Sequence, residues 1–147
     1  MIDELDRKII RVLNANARKS FREIAKEVGT SATAVIHTVK KLEAAGAIKG
    51  YVPVVDPEYF GIGLAAVVAV RISKGKLIET QQRIAQDPHV AAVYDVTGDW
   101  DAFIVGRFSG REDLNGFVKG LLAIPHVDRT VTHLVLNVVK EEPRIPV

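Results

Sequence analysis

Between Ser20 and Gly46 the chain carries two helix starts and two helix stops, with only three residues from the first stop to the second start. Ser20 is followed three residues later by Glu23. In that pattern a hydroxyl accepts from a backbone N–H one turn on while the carboxylate reaches back. The helix so opened has Ile24, Ala25 and Val28 to bury and stops at Gly29, where glycine can take the left-handed conformation that closes a helix. Thr30 follows, then Ser31 as the next N-cap, and another helix runs from about Ala32 to Ala45 before Gly46 ends it. An earlier helix, capped by Asp3, places Leu5, Ile9, Ile10, Val12 and Leu13 at helical spacing. Two short helices joined by a glycine-containing three-residue turn predict a helix-turn-helix. A plain bundle hairpin, the other reading, would have longer helices than residues 21–28 allow.

The faces of the third helix sharpen this expectation. Val35, Val39 and Leu42 share one stripe, while Thr33, His37, Lys40 and Ala44 centre on the opposite side, flanked by Lys41. Small polar groups let a helix enter a major groove about 12 Å wide, and lysines further along can reach phosphates. The expected DNA contacts are Ser31, Thr33, His37, Thr38, Lys40 and Lys41, with Arg18 and Arg22 beside them. A solvated face carrying two idle lysines and a histidine has the same sequence.

Charge separates the two parts of the chain. Residues 1–50 hold ten Lys and Arg against six acids, and residues 51–147 hold ten against twelve. A basic first third followed by a mildly acidic remainder fits polyanion binding at one end only. The composition, 48% hydrophobic with no Cys, excludes a disordered chain, a disulfide framework and thiolate metal sites. No apolar run approaches the roughly 18 residues of a membrane helix, and no secretory signal opens the chain, so the cytoplasm is the expected location.

From Ile48 the pattern turns extended, and Pro53 limits that stretch to an edge or linking strand. The expected organisation is a DNA-binding domain over 1–50, a hinge strand and linker over 51–62, and a second domain over 63–147. In the second domain Leu64 to Ile72 reads as a strand and Lys76 to Gln86 as an amphipathic helix. Val90 to Thr97 and Trp100 to Phe108 read as a hairpin around Gly98 and Asp99. Ser109 with Glu112 suggests another capping box opening a helix to Ile124, and Val127 to Val139 is the last strand. The order βαββαβ is the ferredoxin-like αβ-sandwich, which makes the whole chain α+β. Its strands are apolar on both faces, yet two helices cover only one side of such a sheet. The economical cover for the other side is the same face of a second copy.

The whole chain resembles the Lrp/AsnC, or feast/famine, family of transcription regulators. Leu5, Asp6 and Ile9 look like the family's opening L-D-x-x-I, and Ala17 and Arg18 its A-R before the second helix. Leu42, Glu43, Gly46, Ile48 and Gly50 match L-E-x-x-G-x-I-x-G. Thr97, Gly98, Asp99, Trp100 and Asp101 match T-G-D-[YW]-D, and Thr130 and Thr132 the last strand. The resemblance implies a DNA-binding regulator that dimerises, assembles further and binds a small effector, often an amino acid, at the hairpin turn and last strand. Asp99 or Asp101 could then receive an ammonium group, and Thr130 or Thr132 with backbone amides a carboxylate. Where such proteins usually carry Arg midway along the recognition helix, this chain has Thr38, a single hydroxyl in place of a charged fork.

Two other readings use the same residues: a stand-alone metabolite sensor whose helical domain binds protein, and a small ferredoxin-like enzyme. Against an enzyme, the four histidines show no metal-like spacing and no phosphate-binding or dinucleotide glycine fingerprint is present. No catalytic set, metal or cofactor beyond an amino-acid effector is expected.

Overall fold

The computed structural model describes all 147 residues, which pack as two compact units. The first comprises residues 1–54 together with 140–147, and the second residues 55–139. The C-terminal tail therefore packs with the helical unit rather than with the second domain, where the sequence had placed it.

In the first unit, α1 spans Glu4–Ala15, α2 Phe21–Val28 and α3 Ala32–Ala44. The expected caps form. Ser20 accepts from the Glu23 amide at 3.1 Å while Glu23 accepts from the Ser20 amide, and Ser31 accepts from the Ala34 amide at 3.1 Å. Gly29 sits at φ 78°, with its N–H on the Ala25 carbonyl. Ile9, Val12, Ile24, Ala25, Val35 and Val39 interlock as the core of this small domain. The tail is held to α1 by Arg11 Nε donating to the Val147 carbonyl at 2.7 Å and by Asn14 Nδ2 donating to the Ile145 carbonyl at 3.0 Å. The expected hinge strand forms no ladder, and residues 57–61 of the linker make a turn. Pro53 offers no N–H to a ladder.

The second unit is a four-stranded antiparallel sheet in the order β2-β3-β1-β4, with β1 at Leu64–Ile72, β2 at Val90–Asp95, β3 at Ala102–Phe108 and β4 at Val127–Leu134. Helices α4 (Leu77–Ala85) and α5 (Arg111–Ala123) complete the βαββαβ order. Ala66, Val68, Val70 and Ile72 of β1 bury one sheet face with Ile104 and Phe108, against Ile84, Phe117 and Leu121 of the helices. Alternation sends Val67, Ala69 and Arg71 to the other face, beside Phe103 and Val105 of β3 and Arg129 and Val131 of β4. The last strand stops at Leu134, five residues short of the expected end, because β1 offers only one further bond, from the Val135 amide to Ala65.

The start of α5 differs from expectation in its chemistry. Asp113, not Glu112, serves Ser109: its carboxylate accepts from the Ser109 amide at 2.9 Å and the hydroxyl at 3.2 Å. The other Asp113 oxygen meets His89 Nε2 at 2.9 Å, while His89 Nδ1 meets Asp87 at 2.7 Å. The imidazole stacks on Phe108 with ring centroids 5.3 Å apart. Its hydrogen bond to Asp87, and then the bond and charge of Asp113, raise the His89 pKa above its ordinary value, outweighing the cost of burial. The protonated form is thus favoured by folding. Its contribution is fully present below the unfolded-state pKa and is lost as pH rises through the higher folded value. Urea unfolding from about pH 5.5 to 9 is expected to show stability falling across that window, and His89→Gln to remove the fall. An unchanged slope in the variant would assign the pH dependence elsewhere.

Candidate nucleic-acid interface and effector loop

The structure divides the expected DNA contacts by face. Ser31, Thr33, His37 and Lys40 are exposed on α3 and its N-cap, and Arg18 and Arg22 are exposed at the approach to α2 and on its first turn. Val35, Val39 and Leu42 turn inward as expected. Thr38 turns inward with them and is only 5% exposed, which corrects its assignment as a DNA contact. Three residues after Val35 and four before Leu42, it falls on the buried stripe rather than on the groove-facing side. Its short side chain fits that interior position.

Lys41 is also taken up by the fold. Its ammonium donates to Asp6 at 2.7 Å and lies 3.9 Å from Asp3. Asp6 is 1% exposed, and its second oxygen accepts from the Asp3 amide at 2.9 Å, so one carboxylate closes the start of α1 and fastens α3. The Lys41 hydrogen bond, ahead of the opposing cost of burial, holds Asp6 below the usual carboxylate range, and the same bond raises the Lys41 pKa. Of the expected lysine pair, Lys40 alone is left without an acidic partner. Lys41→Met leaves a buried carboxylate short of its cation and is expected to cost about 1–3 kcal/mol in urea unfolding. Because the folded Asp6 pKa is lowered, the stability the pair contributes is present above the unfolded carboxylate pKa. It is lost as pH falls through the folded value, and that acid-side loss should be absent in the variant.

In the second unit the turn expected at Gly98 and Asp99 is a longer loop, residues 96–101, between β2 and β3. Gly98 has φ 106°, a conformation open to glycine and strained for other residues. Thr97, Gly98 and Asp99 are exposed and Trp100 is half-buried. Asp101 anchors the loop: its carboxylate accepts from the Ile72 amide at 2.7 Å, and its own amide donates to the Val70 carbonyl at 3.0 Å. Arg71 anchors it from outside, donating through Nε and Nη2 to the Asp99 carbonyl at 3.1 and 2.5 Å. Two guanidinium groups lie near the Trp100 ring, Arg71 at 5.7 Å and Arg129 at 5.5 Å from its centroid.

Thr130 and Thr132 are not brought to Trp100. They pair with Val70 and Val68, whose side chains lie on the helix-covered face, whereas Arg71 and Arg129 pair on the open face. Neither arginine was identified from sequence. Each lies on its own strand's alternation, but only the β1–β4 register shows that they are opposite each other.

With this geometry in view, comparison with known proteins gives a consistent answer. The family model of the AsnC-type helix-turn-helix domain matches residues 2–43, and that of the Lrp/AsnC ligand binding domain matches residues 65–145. The chain is 43% identical over 145 residues to an HTH-type transcriptional regulator of Pyrococcus abyssi, covering 99% of both chains. It is 34% identical over 146 residues to the HTH-type transcriptional regulator FL11 of Pyrococcus horikoshii, covering 99% of this chain and 97% of that one. Among solved structures, a Neisseria meningitidis transcriptional regulator in complex with L-methionine superposes with a TM-score of 0.90 at 28% identity, covering 99% of this chain and 97% of that one. AsnC of E. coli does so at 0.88 and 26% identity, with 96% of each chain covered. The helix-turn-helix, the βαββαβ unit and these matches over nearly the full length show that the chain belongs to the Lrp/AsnC family of transcriptional regulators.

Proposed function

We propose that this regulator reads duplex DNA with the exposed face of α3 and responds to a free amino acid held at the 96–101 loop. The observation that carries the first half is the division of α3 into a buried stripe and an exposed Thr33, His37, Lys40 face, preceded by the exposed Ser31. On this reading Thr33 and His37 meet base edges, and Lys40, Arg18 and Arg22 phosphates. Lys40→Ala should weaken binding to specific and random duplexes alike and reduce the salt slope of binding by about 1 per monomer. An unchanged slope would put Lys40 on a solvated face.

The effector half rests on the anchored loop and on the L-methionine complex of the Neisseria meningitidis relative. Association through the open sheet face accompanies it. Val67, Phe103, Val105 and Val131 make an apolar surface that no helix of this unit covers, and a second copy offers a matching one. Higher assemblies would build on that dimer. Calorimetry of the full-length protein against each of the twenty amino acids, L-methionine first, tests the effector half. At least one is expected to bind and to shift operator affinity or assembly size, because an effector acts only through its difference in affinity between states. Binding by none of the twenty would remove the amino-acid reading and leave the DNA-binding half standing.

A further inference from the structure

The polypeptide crosses between its two units twice, after Val54 and after Val139, because residues 140–147 return to the helical unit. The first crossing starts near Tyr51, whose hydroxyl donates to Glu43 of α3 at 3.0 Å, and ends where β1 begins at Leu64. The second leaves the sheet at Val135, whose amide makes the final bond to β1, and ends on α1. There Asn14 Nδ2 donates to the Ile145 carbonyl at 3.0 Å and Arg11 Nε to the Val147 carbonyl at 2.7 Å, while Arg144 Nη1 reaches the Asn14 carbonyl at 3.5 Å. Arg11 and Asn14 lie one helical turn apart near the end of α1, so both meet the tail from the same face.

The end of a domain is usually loose unless it is tied down. Residues 140–147 are all exposed, so these hydrogen bonds rather than burial hold them. Pro143 and Pro146 fix φ and bring no N–H, so the segment has less freedom to lose on attaching. Glu142 braces Arg144, accepting from Nε at 2.6 Å and from Nη2 at 2.8 Å. Helix α1, to which the tail is tied, is itself fastened to α3 by the bond from Lys41 to Asp6.

We infer that residues 140–147 are a positioning tether: latched to α1 by Asn14 and Arg11, they give the helix-turn-helix unit a second connection to the sheet unit and hold the two α3 helices of a dimer at one spacing for duplex DNA. This rests on the reading that α3 enters the groove of DNA and that the chain dimerises, and it adds what sets the separation of the helices. Domains joined by a single connection move relative to each other by default, which dilutes the second helix at its half-site once the first has bound. A unit held at two points is restricted before DNA arrives, and less binding energy goes into ordering it. Two half-sites on one face of a duplex demand such a fixed spacing. Because the ties are few and exposed to water, the latch opens locally without unfolding either unit.

The test uses a duplex selected from a random pool by the unaltered full-length protein. Beside it are a duplex carrying one half of that sequence and one lengthened at its centre by about five base pairs, half a helical turn. Affinities are measured for the unaltered protein, for the chain ended after Val139, and for Asn14→Ala and Asn14→Gln, with circular dichroism and light scattering on each. The segment removed carries Lys140 and Arg144 against Glu141 and Glu142, so its loss leaves the net charge that attracts phosphates unchanged. The shortened chain is expected to lose about tenfold or more on the selected duplex and less than about twofold on the half duplex. It should also be penalised less than the unaltered protein by the central insertion. Asn14→Ala should show part of the same loss, and Asn14→Gln, which keeps the amide, should recover some of it. Full affinity for the selected duplex in a folded shortened chain, or an equal loss on the half duplex, would overturn the tether. A shortened chain that scatters as a monomer would overturn it in favour of a contact between copies. An unaltered protein that selects no duplex would overturn the reading of α3, and the tether with it.

Discussion

The second unit depends on β1, a strand hydrogen-bonded on both edges and apolar on both faces. Ala66, Val68, Val70 and Ile72 fill the core beneath the helices, and Val67 and Ala69 line the open face. Such a strand cannot sit at the rim of the sheet, because burial of both faces and both edges is what its composition demands. With it in the interior, β3 and β4 lie to either side in the sheet order β2-β3-β1-β4. The end of the same strand holds the 96–101 loop, through the Ile72 amide on Asp101 and the Arg71 side chain on the Asp99 carbonyl. Core and loop are therefore not independent. A shift of one residue in the β1 register would turn Arg71 into the core and dismantle the loop together with it.

The first unit solves a different problem. A unit of this size buries a smaller share of its surface than a larger domain does, so capping and a few polar ties weigh heavily. Asp6 concentrates several of them. Its carboxylate satisfies a donor at the start of α1 and neutralises Lys41 on α3 while almost fully removed from water. A buried ion pair is not by itself a large source of stability, since desolvation offsets much of the attraction. Its other consequence is directional: the pair ties α3, the helix that presents Thr33, His37 and Lys40, to α1.

The features legible in the sequence were those with local causes. Ser20 with Glu23, Gly29 and Ser31 announce helix ends through bonds spanning three or four residues, and the structure forms each of them. Thr38 was legible too, since the helical period alone places it beside Val35 and Leu42. The family's habit of placing Arg midway along this helix drew it outward. Lys41 was not legible, because its partner lies 35 residues away and no periodicity relates them. The same holds for Arg71 and Arg129, joined only by strand register, and for the Asp113 cap, where a carboxylate one position beyond the expected one also engages His89. Asp101 was expected as a ligand group and is instead bonded to the Ile72 amide, a tie spanning 29 residues.

The arrangement of the loop bears on how an effector could act. Loop residues 99–101 are fastened before any ligand arrives, by Arg71 at Asp99 and by Asp101 at Ile72. A ligand there does not have to order the chain, which removes one source of binding cost and also one source of signal. The open sheet face is not a pocket, whereas small-molecule sites bury most of their ligand. A molecule lying against the exposed loop residues would be fully enclosed only where another surface covered it. Under that constraint a ligand that also touched a second copy would bind the associated form more tightly and favour it by the same factor. Ligand binding and assembly size would then vary together with protein concentration, which a change confined to one isolated chain would not produce.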